Sequence, residues 1–227
     1  MSQRHFPIER RHLLFGLTAL PFASLANAQV LGSGLTNILG NASDSALNKL
    51  AVPGAFYADP LVRIGLPLIG GNTGLLGQVL AKGSQLGLTD GLTRKLNDAA
   101  GLAAKEAKPI FRAAIGKLTL ADVPDIATQN DGASQYLRRS AATELTAKLR
   151  PLVDTGLKQV GAYGALDKLA KGGALASLAG LSHDKLGSSV TDQALNGIFK
   201  YMGSEEAKLR ANPLKPAGSL LKGILGN

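Results

Sequence analysis

The sequence predicts an all-α protein, a single irregular helical bundle with one proline-bounded extended strap, and three observations carry that reading. Apolar residues recur at helical spacing through most of the chain. No segment alternates apolar and polar residues over a strand's length, and no hairpin signal joins two such runs. The aromatics are sparse (six Phe, four Tyr, no Trp), so the core must be built from Leu, Ala, Ile and Val.

The first 28 residues read as an address rather than as structure. Arg4, Arg10 and Arg11 form a basic start, Leu13 to Phe22 an apolar run, and Ala26-Asn27-Ala28 the small residues of a cleavage site before Gln29. The apolar run is shorter than the roughly 20 residues of a membrane anchor. The segment "ERRHLLFG" (9–16) resembles a twin-arginine export signal, with departures at Glu9 and Leu13. An ordinary basic start explains the same residues, and both export routes stay open. The expected product is exported and periplasmic. It has 199 residues, since removing 28 of 227 takes away three Arg and one Glu and leaves 22 basic against 15 acidic side chains, net +7. That length suits one domain.

Each element follows from local pattern. Residues 29–43 are rich in Gly, Ser and Asn without a sustained period and read as a flexible lead-in; the helical domain spans 44–227. A short helix is expected over Asp44 to Ala51. Pro53, Pro60 and Pro67 then push their predecessors away from helical torsions, and Gly70-Gly71 closes the stretch. This is an extended or irregular strap, and its apolar residues Phe56, Leu61, Val62, Ile64, Leu66, Leu68 and Ile69 should lie on the core. A helix follows from Thr73. The next has Leu92, Leu96, Ala99 and Ala103 on one face, with Thr89 or Asp90 as cap. Pro109 suits a kink or the first turn of a fresh helix with Ile110, Ala114 and Leu118 on one side. Thr119 caps a short helix whose Asp122 and Asp125 favour its N-terminus. Asp131 starts the clearest helix, with Tyr136, Ala141, Leu145 and Leu149 near one stripe and Glu144–Lys148 as an i,i+4 pair. Pro151 restarts the chain as a new helix and Gly172-Gly173 interrupts it. Ser182 opens a last long helix that buries Val190, Ala194, Leu195, Ile198, Phe199 and Met202, with Glu206–Arg210 paired on the other face. Pro213 and Pro216 end it before a short apolar tail. The expected total is seven to nine helices.

Several strings in this order resemble the family known as domain of unknown function 4197, exported proteobacterial proteins. They are "DPLVRIGLP" (59–67), "AKEAKPIF" (104–111), "GKLTLADVPDIATQNDGASQYLRR" (116–139), "LRPLVDTGLKQVGA" (149–162) and "VTDQALNGIFKYMGSEEAKLRANP" (190–213). The Gly-rich stretch "KGGALASLAGLSHDKLGSS" (171–189) departs from the family pattern, whose connection there is more polar. The resemblance implies an exported helical protein and carries no activity.

Composition excludes much chemistry. There is no cysteine, hence no disulfide framework, thiolate site or cysteine nucleophile. His183 is the only histidine after Gln29, beside Asp184 at a helix start where a polar residue is expected for capping. A histidine-based nucleophile would have to rest on it alone, no G-x-S-x-G elbow occurs, and no motif flags a Ser–Lys dyad. Carboxylates alone could hold Ca²⁺ or Mg²⁺, but the close pairs Asp122/Asp125 and Glu205/Glu206 read as helix-end charge and a solvated face. No phosphate loop or dinucleotide fingerprint is present. No cofactor is implied. The basic residues lack interleaved aromatics, and export argues against nucleic acid.

One cluster stands out as a candidate site. Arg63 lies among apolar residues of the strap, where an arginine is costly unless paired or exposed. Asp131, Arg138 and Arg139 surround Tyr136 at the start of the central helix. Arg63 is either a structural ion pair, to Asp131 or Glu144, or part of a basic patch with Arg138 and Arg139 for an anionic head group. The preferred reading is a non-enzymatic envelope protein binding an anionic amphiphile, lipid or partner protein, without a transmembrane helix in the mature chain. The alternatives are a hydrolase-like enzyme using carboxylates or a Ser–Lys pair, and a structural protein that self-associates through its apolar tail.

Overall fold

The computed structural model describes residues 23–67, 89–118, 129–171 and 180–211, with side chains from residue 36 onwards. Among these residues there are seven helices and no strand: α1 Ala23–Leu50, α2 Ala55–Ala58, α3 Asp90–Glu106, α4 Lys108–Gly116, α5 Gly132–Gln159, α6 Ala162–Lys171 and α7 His183–Ala211. The all-α reading holds. The helices expected over 73–83 and 120–128, the closing Gly70-Gly71, Asp122, Asp125 and the tail after Pro213 lie outside the described residues.

Helix α7 packs along both α5 and α1, and α3 lies across the other side of α5. The core between them is aliphatic, with Leu47, Leu96, Leu145, Leu149, Val190, Ile198 and Met202 all buried. Phe111 and Phe199 meet edge to face, their centroids 6.1 Å apart. The apolar stripes expected on α3 and α7 are the ones buried. At the opening of α7, Ser182 Oγ accepts the backbone N–H of Lys185 at 3.2 Å. Thr89 occupies the cap position of α3, but its side chain makes no capping bond.

Two expectations fail, each for a packing reason, and a third holds in part. Residues 29–43 are not a loose lead-in, because α1 runs through them to Leu50. Its buried stripe is Leu39, Ala42, Ser43, Ala46, Leu47 and Leu50, helical spacing carried partly by small residues. Nor does Pro151 restart the chain. Helix α5 continues through it, because Leu145, Leu149, Val153 and Leu157 form one buried stripe across it. Burying four such side chains outweighs the roughly 3 kcal/mol that an interior proline costs. The break falls at Gly161 instead, whose φ of 68° suits a residue without Cβ. The third concerns the strap. It is not seen as a single extended segment: its first part holds the one-turn helix α2, and turns follow before residues 63–67. Its expected burial holds for Phe56, Val62 and Ile64, which are in the core, and in part for Leu66, but fails for Leu61, which is 74% exposed; Leu68 and Ile69 lie outside the described residues. Asn97 of α3 holds the segment by both faces of its amide, accepting from Ile64 N–H and donating to Ile64 O, each at 2.8 Å.

Among the described glycines, the closest backbone approach is at Gly156, where α5 crosses α3. A Cβ added at Gly156 would stand 2.7 Å from the carbonyl oxygen of Ala99 and 3.2 Å from its Cα. Only a glycine lets the two backbones approach this closely.

Candidate functional site

The start of α5 is built by a residue from the far end of the chain. Glu206 of α7 is fully buried, and its carboxylate accepts the N–H groups of Ala133 at 3.0 Å and Ser134 at 2.7 Å. Arg210 completes the arrangement, with Nε at 2.9 Å and Nη2 at 2.6 Å from the same carboxylate. These donors are ones a helix N-terminus leaves unsatisfied, and negative charge is favoured there. Asp131, at the cap position, makes no capping bond itself and accepts from the Gln135 amide at 2.8 Å.

Beside this junction lies a hollow of about 470 Å³ between the first turns of α5 and the middle of α7. Asp131, Arg138 and Arg139 line it from one side, Phe199 and Lys200 from the other. The guanidinium of Arg138 donates to Asn196 Oδ1 at 2.5 Å and lies 5.8 Å from the Phe199 ring centroid. Lys200 Nζ donates to the Leu61 carbonyl at 2.9 Å. A second hollow of about 450 Å³ adjoins it through Lys200, lined by Leu61 and Val62 with Lys49, Lys208 and Glu205.

Asp131, Arg138 and Arg139 are thus brought together as the sequence suggested, but not around Tyr136. That residue projects from another side of α5 and packs half-buried against the core. Arg63 is a neighbour rather than a member. It shares Leu61, Asn196 and Lys200 with a smaller hollow of about 150 Å³. Its partner is neither Asp131 nor Glu144: its Nε donates to the Tyr57 carbonyl at 2.5 Å, and its guanidinium lies 4.7 Å from the Tyr57 ring centroid. Glu144 is held by Lys117 at 2.7 Å and Lys148 at 3.0 Å, and these bonds keep its carboxyl below the usual range. On the Tyr57 ring Arg63 is joined by Arg94, at 4.3 Å. The Tyr57 hydroxyl donates to Asp90, and this bond, then that from Arg94, lowers the acid's pKa. The cluster fastens α2 to α3.

The pair Glu205/Glu206, read from sequence as a solvated face, is instead buried. Glu205 accepts from Ser45 at 2.7 Å and pairs with Lys49 at 2.7 Å and Lys208 at 2.8 Å. Burial pushes its carboxyl up, but the bonds from Lys208, Lys49 and Ser45 outweigh it and hold the pKa at about 2. A signal for both acids was present. Positions 205 and 206 continue the stripe Ile198, Phe199, Met202 at i+3 and i+4 spacing.

Among the described residues, the contacts of His183 are to an acid and an aromatic ring. Its Nε2 lies 2.9 Å from Asp167 Oδ1, and its ring stacks on Tyr163 at 4.4 Å. The Tyr163 hydroxyl donates to Asp154 at 2.7 Å; burial, then this bond, raises its pKa. Arg150 bonds Asp154, Asp184 and Ser188, tying α5 to the start of α7. Among the described residues, no three His, Asp or Glu side chains converge as a metal site. No described helix is long and apolar enough to cross a membrane.

Such an assembly, a helical bundle with a basic hollow and no recognisable catalytic constellation among its described residues, defines a fold without defining an activity. The chain matches the family described as "Protein of unknown function (DUF4197)" over residues 25–226, and it belongs to that family. No curated protein and no solved structure matches it.

Proposed function

We propose that this chain is an exported periplasmic protein that binds an anionic amphiphile without transforming it. The observation that carries the reading is the convergence of Arg138, Arg139 and Lys200 on one hollow, against the single acid Asp131. Guanidinium groups suit carboxylate and phosphate oxygens, so this end receives a negative head group. Leu61 offers exposed apolar surface for the rest of the molecule, with the edges of the buried Phe199 and Val62 behind it. Volumes near 450–470 Å³ fall within the range of roughly 300–1,000 Å³ common for small-molecule sites. The basic start, short apolar run and small-residue cleavage site of residues 1–28 support export.

The test is native mass spectrometry of the protein purified from its own periplasm. An anionic lipid or similar amphiphile should co-purify, and the double substitution Arg138→Gln/Arg139→Gln should release it while the melting temperature stays nearly unchanged. Protein that arrives without any such ligand, or a substituted chain that retains it, would count against the reading.

A further inference from the structure

We infer that the face around Leu61 docks on the surface of a bilayer carrying anionic head groups. This rests on the reading above in placing the protein in the envelope; the two share Leu61, Val62 and Lys200, while Arg138 and Arg139 belong to the hollow alone and Lys49, Arg63 and Lys208 to this face. Leu61 is 74% exposed. A lone exposed leucine carries no argument by itself, but this one is held outward by fixed bonds. Asp59 Oδ1 accepts the Leu61 N–H at 2.9 Å, Lys200 Nζ holds the Leu61 carbonyl at 2.9 Å, and the flanking Val62 is buried. Asp59 is itself anchored by the Tyr201 hydroxyl at 2.7 Å. The turn therefore presents its apolar side chain to solvent without freedom to fold it away.

Cations ring that side chain. Lys49, Lys200 and Lys208 line the hollow on one side of Leu61, and Arg63 and Lys200 the hollow on the other. Two acids share this ground: Asp59 is held by the Tyr201 hydroxyl, and Glu205 is paired with Lys49 and Lys208, so Lys200 and Arg63 are the cations of this face that no described acid holds in an ion pair. Four cations against two acids leave an excess of two positive charges. An apolar residue ringed by basic side chains is the arrangement that binds an interface, since the apolar group enters below the head groups and the cations meet their phosphates. Long lysines can stay at that level with their stems along the apolar surface. A protein partner would instead call for a broad complementary patch with aromatic anchors, and the nearby Tyr57 and Tyr201 have their hydroxyls committed to Asp90 and Asp59.

The chain has no tryptophan, so Leu61→Trp in the full chain creates a single reporter at the proposed contact. Vesicles of phosphatidylglycerol should shift its emission to the blue, and vesicles of phosphatidylcholine should not. In sedimentation with the same vesicles, Arg63→Gln and Lys200→Gln should each weaken binding about 5-fold, and Leu61→Asp roughly 10-fold, with melting temperatures near that of the parent. Unchanged emission with phosphatidylglycerol overturns the inference even if the chain sediments, because binding then uses another face. Equal shifts with both lipids overturn the role of the cations. Binding of a soluble short-chain phosphatidylglycerol, followed with and without Arg138→Gln/Arg139→Gln, reports on the hollow separately, so either reading can fail alone.

Discussion

Helix α5 meets α3 on one side and α7 on the other, and the two seams are made differently. Against α3 the contact is between backbones, with Gly156 set on Ala99. Against α7 the aliphatic core gives way, at the start of α5, to a buried carboxylate and then to a hollow lined by arginine, lysine and phenylalanine. Small residues let helices close until nothing fits between them. Long charged ones hold open a space whose walls are already polar. The first seam serves stability, and the second offers room for a ligand at the cost of a charge that must be satisfied from within.

Substitutions can break this contrast in descending order of effect. Glu206→Ala should be the most damaging, by about 3–5 kcal/mol, because it removes the buried carboxylate that pairs with Arg210 and leaves two helix N–H groups without their acceptor. Denaturant unfolding measures it, and a loss under 1 kcal/mol would mean that the carboxylate does not hold the start of α5. Gly156→Ala should cost about 1–3 kcal/mol, since its methyl would press on the Ala99 backbone rather than on a movable side chain. A neutral result would show that the seam opens easily.

Acid should act next. The folded pKa of Glu205 lies below its ordinary 4.5, so its contribution is complete above that value and fades as pH falls towards about 2. With solvent reaching Lys49 and Lys208, the loss should be about 1–2 kcal/mol. Asp59, Asp90 and Glu144 also have lowered pKa values and add to the same acid limb. Glu205→Gln should flatten that limb; a slope identical to the parent's would assign it to the other acids. The smallest change expected is Arg139→Gln, within about 0.5 kcal/mol of the parent. A larger loss of melting temperature would make the hollow's rim structural.

Particular residues show what the sequence could and could not reveal. The stripe of α7 from Val190 to Met202 was legible because large apolar residues mark its period. The stripe of α1 was not, because Ala42, Ser43 and Ala46 carry it and small residues give a weak periodic signal. Pro151 misled because the cost of a proline is local, whereas the burial that offsets it is spread over two turns on either side. Arg138, Arg139 and Asp131 share one side of a single helix, so their grouping could be read. Lys200 and Phe199 could not be placed with them, since only the crossing of α5 and α7 brings them to the hollow. Glu206 misled for the same reason: an i,i+4 partner at Arg210 looks like surface pairing until another helix covers it.

That carboxylate also sets an order on assembly. The first turn of α5 is completed by a residue 72–73 positions further along, so the helix has no finished beginning until the last described helix arrives. A nascent polypeptide carries α5 with its leading N–H groups open to water. The latch closes only once Glu206 and Arg210 emerge together.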